Sequence, residues 1–87
     1  MLRLTRRCVS GGRLQVALTG DTEALRDARF KFDKRLVARD AAAPLRRVIP
    51  ARLVARTRAR RLRAVAYVRD GSPARVILSR TLPRCAR

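Results

Sequence analysis

The chain has 87 residues, with 23 basic and 6 acidic side chains and a formal net charge of +17. That length allows one small domain, and that charge makes a free globular body repel itself, so an anionic partner is implied: nucleic acid, anionic lipid or an acidic protein. No stretch reaches the ~18–20 apolar residues of a membrane span, and with no histidine, one glutamate and no glycine-rich phosphate cradle, neither an enzyme nor a cofactor site is expected.

Arginine outnumbers lysine 21 to 2. Guanidinium groups hold phosphate bidentately and stack on bases. A GC-rich genome also favours arginine, and the chain lacks asparagine entirely. We read the net charge as functional and the Arg/Lys ratio as mostly genomic. Only Phe30, Phe32 and Tyr67 are aromatic, so stacking platforms are scarce and binding to the phosphates of folded RNA is expected to dominate. Cys8 and Cys85 lie near opposite ends with no histidine to complete a zinc site. They read as incidental thiols rather than a disulfide.

Residues 1–13 hold four arginines and no acid, with Thr5 and Ser10 interspersed. That composition suits an organelle targeting signal, and the segment is set apart as a basic N-terminal stretch. Leu14, Val16 and Leu18 share one face at period two, which predicts a short strand. Asp21 or Thr22 can cap a helix whose first turn holds Glu23. Leu25, Ala28, Phe32 and Leu36 follow at helical spacing and Asp27 precedes Lys31 by four residues, which predicts a helix over about 22–39. Residues 40–44 end it, because Pro44 disfavours helical geometry before it.

Pro50 suits the first position of a second helix, expected over about 50–69. Arg52, Arg56, Arg58, Arg60, Arg61 and Arg63 crowd this stretch with no acid among them, against a thin stripe of Ala55, Ala59, Leu62 and Ala66. Such like-charge density suits a rod surrounded by phosphates. Asp70-Gly71-Ser72-Pro73 is a stop and turn signal. Residues 64–69 and 75–80 either pair as a hairpin around it or continue as helix and extended tail, and the second is the expectation. The expected architecture is therefore mainly α: a short N-terminal strand, two helices and an extended basic C-terminal tail, without a large independent core. In domain terms this is 1–13, a strand–helix–helix unit over 14–70, and a tail over 71–87. Five of the six acids fall between Asp21 and Asp40, while thirteen arginines lie from Arg46 onward. The cationic function is thus placed in the second half.

The stretch from Gln15 to Arg63 contains Val16-Ala17-Leu18, Glu23-Ala24-Leu25-Arg26, Leu45-Arg46-Arg47 and the run Arg52–Arg63. In this layout the chain resembles the twenty-first protein of the bacterial-type small ribosomal subunit, in its mitochondrial form. Val48-Ile49-Pro50-Ala51 stands where that family carries an aromatic and a Glu-Lys-Pro element. The resemblance implies a place on the platform of the small subunit, with Arg46, Arg47, Arg52 and Arg56 on rRNA phosphates. Arg58, Arg60, Arg61 and Arg63 complete the candidate RNA-binding set. The function expected is a structural constituent of an organellar ribosome, in the mitochondrial matrix or a plastid, that binds and bridges rRNA beside neighbouring ribosomal proteins. The alternative is a basic accessory subunit of another mitochondrial complex, such as a respiratory or ATP synthase assembly. A free DNA-compacting protein would more often be lysine-rich and carry a dimer seam.

Overall fold

In the computed structural model, which describes residues 1–41, 44–69 and 75–85, alternation rather than helical spacing governs the chain. Among the described residues seven strands form: β1 (Leu2–Val9), β2 (Arg13–Gly20), β3 (Leu25–Phe32), β4 (Arg35–Asp40), β5 (Leu45–Ile49), β6 (Arg61–Val68) and β7 (Arg75–Thr81). A short helix, α1 (Ala51–Arg56), and a 3-10 turn over Thr22–Ala24 join them. Strands take 64% of the described residues and helices 12%. The expected mainly α architecture with helices over 22–39 and 50–69 is overturned. Of the second helix only Ala51–Arg56 is helical.

The reason is visible in β3. Helical spacing would bury Leu25, Ala28, Phe32 and Leu36 but leave Phe30 on a polar face. As a strand, Ala28, Phe30 and Phe32 all point inward and are at most 3% exposed, while Leu36 is left 50% exposed. Burying a second phenylalanine is worth about 1.5–3 kcal/mol, which outweighs the propensity differences at stake. In β6 the same rule turns Leu62, Ala64 and Ala66 inward and Arg61, Arg63 and Tyr67 outward. β6 and β7 pair antiparallel from Arg61↔Thr81 to Tyr67↔Arg75, so the chain forms the hairpin rather than a helix with an extended tail. The turn signal Asp70-Gly71-Ser72-Pro73 lies outside the described residues, as do Ala42 and Ala43 of the expected helix stop.

β1, β2 and β5 form one antiparallel sheet; β4, β3, β6 and β7 form another. β5 lies beside β4, and β1 beside β7. The two sheets thereby wrap into a barrel, which covers edges that would otherwise invite further pairing. At the first junction the Arg46 amide donates to Asp40 Oδ2 at 3.2 Å. At the second, Arg6 Nε donates to the Thr81 carbonyl at 2.5 Å and Arg80 Nε to the Leu4 carbonyl at 3.2 Å. Leu4, Arg6 and Cys8 meet Arg80, Thr81 and Cys85 in the same order, so this seam is parallel. Guanidinium groups bridge it.

The core holds Leu4, Leu14, Val16, Leu18, Phe30, Phe32, Ile49 and Leu62, each buried. Val54 of α1 packs on this cluster with Leu53 beside it, so the helix covers the barrel near β2. Leu82, beyond β7, is also buried in it.

Cys8 and Cys85 are joined in a disulfide, with Cα atoms 5.4 Å apart and a sequence separation of 77. The expectation of incidental thiols is overturned. Both ends lie on the same seam, which brings the two cysteines within bonding distance. The N-terminal stretch is not a free tail: β1 pairs with β2 along its full length, from Leu2↔Gly20 to Val9↔Arg13.

Asp27 is buried and accepts from Arg39 Nη2 at 3.0 Å. The N-terminal ammonium donates a hydrogen bond to Asp21 Oδ2, and that bond, together with its charge, holds the Asp21 carboxyl below its usual range. Gly20 sits at φ +103°, and an added Cβ would fall 2.0 Å from the Met1 carbonyl oxygen. Gly20→Ala is therefore expected to destabilise the fold by about 1–3 kcal/mol through backbone strain and displacement of the chain end. A urea melt measures this, and an unchanged midpoint would contradict it.

Candidate nucleic-acid interface

Alternation determines where the cations go. Alternate residues of a strand face opposite sides of its sheet, and on the outer side of this chain's strands arginine is the commonest residue. All eight sequence-predicted contacts, Arg46, Arg47, Arg52, Arg56, Arg58, Arg60, Arg61 and Arg63, are exposed. They do not form one rod. Arg46 and Arg47 lie on β5, Arg52 and Arg56 on α1, Arg58 and Arg60 in the connector, and Arg61 and Arg63 on β6.

Two solvent-facing surfaces result. On the first sheet, an open groove is lined by Thr5, Arg6 and Arg7 of β1, Gln15, Ala17 and Thr19 of β2, and Arg46 of β5. Arg7 Nη2 donates to Gln15 Oε1 at 3.3 Å. Three guanidinium groups with hydroxyl and amide neighbours make a surface of donors suited to phosphate oxygens.

On the second sheet, a groove is lined by Lys31, Asp33 and Lys34 from the β3–β4 hairpin, Arg63, Val65 and Tyr67 from β6, and Arg75 and Ile77 from β7. Cross-strand register explains the grouping. Lys31 faces Arg63, which faces Ser79; Arg29 faces Val65, which faces Ile77; Asp27 faces Tyr67, which faces Arg75. Like charges placed opposite one another, as at Lys31 and Arg63, destabilise a free sheet. An anion between them removes that cost.

The acids do little to neutralise either surface. Asp33 Oδ1 accepts from the Arg61 amide at 3.2 Å, and Asp40 Oδ2 from the Arg46 amide. Several arginines are tied to the backbone instead: Arg13 to the Ser10 carbonyl, Arg69 to that of Leu25 and Arg84 to that of Thr57. These hold loops and chain ends, and Arg6 and Arg80 bridge the β1–β7 seam, while strand arginines such as Arg7, Arg46, Arg63 and Arg75 are presented outward.

Sequence reading missed Arg6, Arg7, Arg29, Lys31, Lys34, Arg75 and Tyr67. Arg7 lies at period two from Thr5 and Arg3, a pattern hidden by treating residues 1–13 as a separate segment. The alternation Arg61-Leu62-Arg63-Ala64 and Ala66-Tyr67 carries the signal for β6. Among the described residues no cluster of histidine, cysteine or carboxylate side chains could hold a metal ion, and no helix is long and apolar enough to cross a membrane.

The helical layout behind the resemblance to the small-subunit protein is not what these residues form, so no residue role is carried over from it. Protein-family models, curated proteins and solved structures provide no match to this chain.

Proposed function

We propose that the protein is a non-catalytic RNA-binding subunit, a small barrel whose two arginine-bearing faces each hold RNA phosphates and so bridge two RNA segments. It acts as a structural constituent of a ribonucleoprotein particle, with an organellar ribosome as the setting. The observation that carries this reading is the placement of cations on both sheets' outer faces, with cross-strand like-charge pairs such as Lys31–Arg63 left for an external anion. Anionic lipid fits less well, because the cations surround the barrel and the apolar side chains are drawn into one core rather than along one membrane-facing stripe.

Sucrose-gradient sedimentation of a lysate, with and without ribonuclease, tests it. The protein is expected in a ribosomal peak and at the top of the gradient after ribonuclease. Sedimentation with membranes irrespective of ribonuclease would refute it. The purified protein is further expected to bind rRNA fragments in preference to anionic vesicles of equal charge.

The Cys8–Cys85 bond favours a second reading, since disulfides persist in oxidising compartments. There the same surfaces would meet a polyanion outside the reducing interior. Thiol trapping of the chain in fresh extract separates the two: free thiols support the ribosomal setting, an oxidised pair the second.

A further inference from the structure

The outer face of β3, β6 and β7 is charged at its rim but not at its centre. Val65 lies in register between Arg29 and Ile77. It is buried, yet it stands outside the core cluster, and Ile77 beside it is 57% exposed. Tyr67 is two residues along the same strand. Phosphate oxygens gain nothing from apolar area, so a surface that only held a backbone would have no use for this centre. A nucleobase would, since its flat face stacks on an aromatic ring and its edge rests against aliphatic carbon.

Tyr67 already serves as a stacking platform. The guanidinium carbons of Arg29 and Arg26 lie 5.0 and 5.5 Å from its ring centroid, within cation–π range. Arg29 Nε is buried and has no hydrogen-bond acceptor. The group is held against the ring by the π face while one of its donors goes unused. An arriving base supplies what the groove still lacks, a second π surface for Tyr67, which lines it.

We propose that this face binds single-stranded RNA, with one unpaired base stacked at Tyr67 and the flanking phosphates on Lys31, Arg63 and Arg75. The inference rests on the reading of the chain as an RNA-phosphate binder and narrows it. In a duplex the base faces are stacked on one another and only edges and backbone are offered, so single strands are selected over duplexes here.

Tyr67 is the chain's one tyrosine, and there is no tryptophan. Tyrosine emission therefore reports this position alone. The full oxidised chain is titrated with a short oligouridylate, an abasic oligomer of equal length and a matched RNA duplex, following both emission and binding. Oligouridylate is expected to quench the emission and to bind roughly tenfold more tightly than the abasic oligomer. Tyr67→Leu is expected to abolish that difference while keeping affinity for the abasic oligomer, and Tyr67→Phe to retain it. Equal binding of oligouridylate and abasic oligomer with unchanged emission would overturn the inference, as would a duplex that competes equally; both outcomes leave the phosphate reading standing. Failure of all three probes to bind would overturn that reading as well. The emission readout uses the unaltered protein, so it does not depend on how well Tyr67→Leu folds.

Discussion

Reducing the Cys8–Cys85 bond, or replacing both cysteines by serine, is expected to lower the unfolding free energy by about 4–5 kcal/mol. The figure follows from chain entropy: a cross-link spanning 77 residues removes most of the freedom of the unfolded chain. Domains of this size have total stabilities of about 5–15 kcal/mol, so roughly a third or more of the margin is at stake. The location adds to the effect. The bond closes the parallel β1–β7 seam, which guanidinium side chains bridge at Arg6 and Arg80. Leu82, which is buried in the core, lies just before Cys85. At about 4–8 °C per kcal/mol, the melting temperature is expected to fall by roughly 20 °C or more. Urea melts with and without reductant measure it. A shift below about 1 kcal/mol would mean that the bond merely decorates a barrel stable without it.

The second large effect is on RNA affinity. The barrel limits how many cations one strand of RNA meets at once, because residues on opposite walls face away from each other. On the β3–β6–β7 side those within reach are Arg29, Lys31, Lys34, Arg61, Arg63 and Arg75. Six phosphate contacts to a single strand give a log–log salt slope of about −4, so affinity is expected to fall roughly 300-fold between ~50 and ~200 mM salt. Replacing Arg63 and Arg75 by glutamine is expected to make the slope shallower by about 1.4, with little change in stability because both side chains are exposed. Filter binding across a salt series reads both numbers. A slope near zero, or one unchanged in the double variant, would remove this face from the interface.

Part of this was legible in the residues alone. Leu14, Val16 and Leu18 announce β2, and the structure buries all three. The net charge and the exposure of Arg46–Arg63 were also readable, since arginine without acidic neighbours has nowhere to go but solvent or phosphate. The strand identity of β3 and β6 was not. Leu25, Ala28, Phe32 and Leu36 satisfy helical spacing as neatly as Ala28, Phe30 and Phe32 satisfy alternation. What decides between them is the pairing of β3 with β6, from Leu25↔Val68 to Phe32↔Leu62, a contact between distant segments that no local window contains. The same holds for the site. Lys31, Arg63 and Ser79 form one row only after three strands have aligned, and Tyr67 joins the basic face only because β6 is a strand. The disulfide is the extreme case, with partners near opposite ends that meet because the barrel wraps once around.

That meeting gives the chain an unusual connectivity. Residues 8 to 85 form a closed covalent loop. A single cut anywhere in that loop, at the exposed Lys34 of the β3–β4 turn for instance, divides the peptide yet leaves one molecule, its two pieces still tethered at the seam. The order in which strands follow one another is then no longer tied to where the polypeptide starts. A version opened at Lys34 and joined by peptide linkage near the old ends would keep every strand in place, with its barrel held by a backbone bond where the native chain uses sulfur.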